Sequence, residues 1–92
     1  MNRKIAFLSN PVSGTVNKLH FKKIIQEEML PSGIPFEFVD TNAQGSYPEL
    51  EKRILKDEIT DVVVVGGDGT IRSVSAALRH TNARFGMTNL RH

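Results

Sequence analysis

The chain contains no cysteine. Disulfides and thiolate metal sites are therefore excluded. No apolar run is long enough to span a bilayer, and the opening "MNRKIAFLSNP" lacks the extended apolar region of a secretion signal. A cytoplasmic location is expected on that basis. Acid is missing from both ends: all ten acidic residues lie between Glu27 and Asp68, while residues 1–26 carry five basic residues and residues 69–92 carry four. The net charge is only +2, so the imbalance is local. It makes anionic partners such as phosphates or membrane headgroups plausible, including peripheral contact with a membrane. Nucleic acid is not expected, because no recognition-helix pattern occurs and neither basic end interleaves aromatics. His20, His80 and His92 show no metal-ligand spacing, and His80 near a helix end reads as a partner for the helix dipole.

What is present is ordinary for a globular domain, with 39% hydrophobic and 24% charged residues over 92 positions. "KIAFLSNP" starts as an apolar strand, Ile5 to Leu8, and breaks into a small polar loop. Apolar residues at Phe21, Ile24, Ile25 and Met29 mark a helical face between Val16 and Leu30. "PFEFVD" alternates as a strand near an edge, its two phenylalanines more suited to core than to a stacking platform. "SYPELEKRILKDEI" carries Ser46 and Glu49 at capping-box spacing with Pro48 in the first turn, and Leu50 and Ile54 continue a helix face. Tyr47 reads as packing at that helix start.

Val62 to Val65 form a run of the kind buried on both faces of a parallel sheet. Ile71, Val74 and Leu78 give a third helix its buried side, and "ARFGM" is a short fourth strand. The order β-α-β-α-β-α-β predicts an α/β fold, three layers around a parallel sheet of about four strands.

In such sheets ligands bind beyond the carboxyl ends of the strands. Three of those ends carry "SNPVSG", "DTNAQG" and "GGDGT". Glycines admit close backbone approach and a helix N-terminus offers free N–H groups, so phosphate suits this edge. Two standard phosphate motifs fail. No Gly-Lys pair exists for a Walker A loop. The dinucleotide pattern starting at Gly67 and Gly69 meets Arg72 where the third glycine belongs, with no acid after Asp68. Taken alone, Asp68 could equally be a helix cap.

"NPVSG" at residues 10–14 together with "GGDGT" at residues 66–70 resembles the catalytic domain shared by diacylglycerol kinases, sphingosine kinases and their bacterial lipid-kinase relatives. NAD kinases and 6-phosphofructokinases have similar glycine turns, but the first motif sets the lipid kinases apart. The resemblance runs from residue 4 to about residue 87. It implies an ATP site, with Asn10, Pro11, Ser13 and Gly14 contacting nucleotide from the first loop and Thr41 from the second. Gly66, Gly67, Asp68, Gly69 and Thr70 would wrap the phosphates, with Asp68 as the catalytic residue, acting through Mg²⁺ or by orienting the acceptor. The implied reaction moves the γ-phosphoryl group of MgATP to the hydroxyl of a lipid alcohol.

Two departures from the family pattern stand out. Arg72 and Ser73 occupy positions where bacterial relatives usually carry Asn-Glu. In place of the family's next glycine-rich loop and β-rich domain, "FGM" runs into "TNLRH". The expectation is therefore the N-terminal nucleotide-binding lobe of such a kinase, inactive by itself and prone to form homo-oligomers. The alternatives are an NAD kinase-like or other kinase with this glycine turn and, from a different class, a non-catalytic fragment that binds nucleotide or only self-associates.

Overall fold

A computed structural model of the chain describes residues 3–9, 18–42, 44–66 and 68–88, and for residues 18–21, 68, 87 and 88 the backbone alone. It contains four strands, β1 (Ile5–Ser9), β2 (Phe36–Asp40), β3 (Asp61–Val65) and β4 (Arg84–Thr88). Between them lie three helices, α1 (Lys18–Met29), α2 (Pro48–Leu55) and α3 (Asp68–Leu78). All neighbouring strands are parallel, in the order β2-β1-β3-β4. The α/β architecture and the parallel sheet expected from the sequence are thus observed.

Strand order and crossover hand together dictate which face each helix covers. The chain moves in one direction from β1 to β2, then reverses to reach β3 and β4 on the far side of β1. Right-handed crossovers therefore put α1 on one face and both later helices on the other. The side chains agree. Ile25 and Met29 of α1 pack with Ile5, Phe7 and Val65. Leu50 and Ile54 of α2 and Val74 and Leu78 of α3 pack with Ala6, Leu8, Val62 and Val64.

The second cluster is the tighter core. Leu8, Ile59, Val62, Val64, Val74 and Leu78 are each less than 2% exposed, and each contributes about 1.5–3 kcal/mol by leaving water. On the α1 face, Phe7, Phe36 and Phe38 form a triad with ring centroids 5.7–5.9 Å apart. The amine of Lys22 sits 5.1 Å from the Phe38 ring, a cation over a π face. The two phenylalanines of β2 are half-buried and pack against the cluster on this face, as expected of a strand near an edge. Ile24 is more open to solvent, being 37% exposed. It lies one position off the seam set by Ile25 and Met29, at a spacing of four.

The start of α2 differs from the capping box read in the sequence. The helix begins at Pro48 with Tyr47 as its N-cap, and no side chain caps it. Proline at the first position has no N–H to satisfy. Ser46 lies one residue before the N-cap, its backbone held by Asn42: its N–H donates to Asn42 Oδ1 at 3.2 Å. Tyr47 packs in the core as expected, 6% exposed.

Two strand carboxylates are paired at the sheet's amino edge. Glu37 on β2 takes both guanidinium nitrogens of Arg53 from α2, one of them at 2.9 Å, and Lys4 Nζ at 3.4 Å. The hydrogen bond from Arg53 holds the Glu37 carboxyl below its usual range. Asp61 opens β3 and accepts from Arg3 Nη2 at 2.9 Å and Thr60 Oγ1 at 2.6 Å. Burial pushes its carboxyl up, but those hydrogen bonds outweigh it and the net direction is down. Among the described residues no helix is long and apolar enough to cross a membrane.

Both carboxyls bind protons more weakly in the folded chain than in the unfolded one, so their contribution is present above the ordinary carboxylate range and is lost as pH falls below it towards their lowered folded values. Thermal unfolding followed from neutral pH down through the ordinary Glu value of 4.5 is expected to show this acid loss. In a Glu37→Gln, Asp61→Asn chain the slope over that range is shallower. An identical slope in both chains refutes the assignment.

Candidate functional site

Register decides where a ligand can sit. Ser9 pairs with Asp40 on one side and Val65 on the other, and Val65 pairs with Thr88. All four strands therefore end level, and every following loop leaves from one edge. Strand order reverses between β1 and β3, the switch point at which open α/β sheets form their ligand crevice. The turn after β3 starts there, beside the end of β1.

That turn is built by Gly66 and the first residues of α3. Gly66 has φ +154°, a backbone conformation that side chains with a Cβ rarely adopt. A Cβ there would lie 3.5 Å from the Thr70 Cβ, so the strand end folds back onto the first turn of α3. Gly69 is exposed and has open space where its Cβ would be. α3 begins at Asp68, presenting the free backbone N–H groups of its first turn and its partial positive charge at this edge.

The loop after β2 is fixed by its own polar groups. Thr41 is half-buried, and its N–H donates to the Ser9 carbonyl at 2.9 Å, carrying the β1–β2 ladder one step further. Asn42 then clasps the loop: its Nδ2 donates to the Ser46 carbonyl at 2.8 Å while its Oδ1 accepts the Ser46 N–H. Its own N–H donates to the Tyr47 hydroxyl at 3.3 Å. The polar tip of a core tyrosine therefore supports the loop from beneath. Gly45 donates to the Asn42 carbonyl at 3.3 Å.

Of the residues that the sequence singled out, Thr41, Gly66, Asp68, Gly69 and Thr70 all fall on this edge, with Asp68 described by its backbone. Asn10, Pro11, Ser13, Gly14 and Gly67 lie outside the described residues. Asn42 and Gly45 were read in the sequence only as part of the loop "DTNAQG", and Ser73 only as a departure from the family pattern. The pair of Asn and Gly in "TNAQG" is the one local signal that could have marked a folded-back loop. His80 lies just past α3, and its Nε2 is 3.0 Å from a Glu51 carboxylate oxygen on α2, away from this edge. Among the described residues no group of three or more His, Cys, Asp or Glu is placed to hold a metal.

The fold defines a doubly wound α/β domain whose strand order reverses between β1 and β3. The family follows from the sequence match: the model of the diacylglycerol kinase catalytic domain covers residues 4–89. The chain belongs to that family, which makes it a lipid-kinase-type domain with kinase chemistry as its class. No curated protein matches it.

One group at the edge is at odds with a purely structural design. Ser9 is 5% exposed and its Oγ has no hydrogen-bond partner among the described residues. A buried hydroxyl left unpaired costs about 1–3 kcal/mol. Ser9→Ala is therefore expected to raise stability by about 1 kcal/mol, read as a higher denaturant midpoint at unchanged slope. A lower midpoint would mean that the hydroxyl has a structural partner.

Proposed function

We propose that the chain binds MgATP at the carboxyl edge of its sheet and supplies the nucleotide half of a lipid-alcohol phosphotransferase. The observation that carries this reading is the meeting, in a member of this family, of the Thr41 loop and the Gly66–Thr70 turn on one level edge at the switch point. Phosphate oxygens suit the backbone amides at the start of α3, and the bare Gly66 and Gly69 let a phosphate chain lie close.

The reaction asks the protein mostly for position and charge neutralisation. A lipid hydroxyl oxygen forms a bond to the γ-phosphorus as the bond to the β–γ bridging oxygen breaks. ADP leaves with that electron pair, and the hydroxyl proton passes to a base. Asp68 is the carboxylate of the glycine turn, at the start of α3. A magnesium ion is compatible with a single carboxylate here, because Mg²⁺ typically takes one or two carboxylates plus phosphate oxygens and water rather than an all-protein cage. When bound, the ion would neutralise charge on the β- and γ-phosphates. Asp68 is the residue that would hold it, or alternatively orient the acceptor hydroxyl.

Asp68→Asn separates this role from helix capping. Asn caps a helix about as well as Asp, so thermal stability is expected to remain. Titrating MgATP, and ATP with EDTA, against both chains reads the metal. The original chain is expected to bind MgATP more tightly than free ATP, and Asp68→Asn to lose that gain, a change on the order of tenfold or about 1.4 kcal/mol. An equal metal response in both chains would return Asp68 to a capping role.

A further inference from the structure

The loop after β2 and helix α3 meet at a close approach. Gly45 adopts φ +65°, and a Cβ built on it would lie 2.8 Å from the Ser73 Oγ. Non-bonded heavy atoms prefer about 3.5–4.0 Å, so a methyl group at Gly45 would meet the Ser73 hydroxyl, and either that side chain or the loop would have to shift. Ser73 is exposed and lies three residues beyond Thr70 on α3. The loop has little slack, because Asn42 ties Ser46 from both sides and its carbonyl accepts the Gly45 N–H.

We infer that Gly45 and Ser73 form a positioning contact. It fixes the separation between Thr41, at the other end of the clasped loop, and the first turn of α3. A ligand that reaches both finds them already set, which removes ordering cost from binding. The functional consequence rests on the nucleotide reading above; the contact itself does not. The plainer explanation is that Gly45 is glycine only because of its positive φ. The same chain holds the control. Gly33 has φ +70° with nothing within 4 Å of its missing Cβ, and it precedes β2, at the opposite edge of the sheet.

The test compares the original chain with Gly45→Ala, with Gly45→Ala plus Ser73→Ala, and with Gly33→Ala. Three readouts are taken: thermal stability, MgATP affinity, and the backbone amide resonances of residues 69–71 without nucleotide. Both single glycine variants are expected to lose stability, since both carry the same left-handed strain, and Gly45→Ala somewhat more, because its methyl also meets Ser73. Only Gly45→Ala is expected to move the amides of residues 69–71 and to weaken MgATP binding, on the order of tenfold for a sub-ångström misplacement. Removing the Ser73 hydroxyl should return much of both. Gly45→Ala with original affinity and amide positions, or a double variant no better than the single, overturns the proposal. If the amides move and recover while the original chain binds no MgATP, the contact stands and the nucleotide reading falls.

Discussion

Four short parallel strands held in step are the constraint from which the rest follows. Ser9, Asp40, Val65 and Thr88 stand side by side across the sheet. A slip of one residue in any of these strands would turn its core side chains to the opposite face. That slip is costly because β1 is buried along its whole length and β3 nearly so, each packed against helices on both faces. Burial thus sets register, register levels the strand ends, and level ends gather the loops.

The two edges of the sheet then serve different ends. The amino edge holds paired charge, with Glu37 between Arg53 and Lys4, and Asp61 bonded to Arg3 and Thr60. These pairs tie strands to flanking segments and compensate the buried part of each carboxylate. The carboxyl edge carries small residues, backbone amides and hydroxyls, with Asp40 at the end of β2 and Asp68 at the start of α3, and among the described residues one hydroxyl, at Ser9, is buried and unpaired. Exposed backbone donors suit an anion, and a rim already crowded with side-chain charge would compete with it.

Position 72 and position 73, where the chain departs from the usual pattern of bacterial relatives, fall on the exposed side of α3. The departure at Ser73 has a local reason in this fold. Its side chain faces the backbone of Gly45, and a small residue suits a place where loop and helix nearly touch. Nothing in the structure explains Arg72.

Much of this was legible in the residues themselves. The valine run, the helix faces at Leu50 and Ile54 and at Val74 and Leu78, and the glycine turn are local patterns, and each element formed where its pattern lay. The family, too, was legible, because its two motifs are short and contiguous. Other features depended on contacts between segments far apart in the chain. Ser46 has the spacing of a cap but lies one residue before the observed N-cap, Tyr47, its backbone held by Asn42 as the loop folds back on itself. Ile24 fits a helical stripe in one dimension, yet the seam against the sheet selects Ile25 and Met29. The approach of Gly45 to Ser73 joins positions 28 residues apart (73 − 45). The sequence by itself determined the elements, their order and the chemistry at each strand end. The parallel order also put the strand ends on one edge; tertiary structure alone decided that they end level and how near the loops come, because distance between segments is set by packing and register rather than by neighbours in the chain.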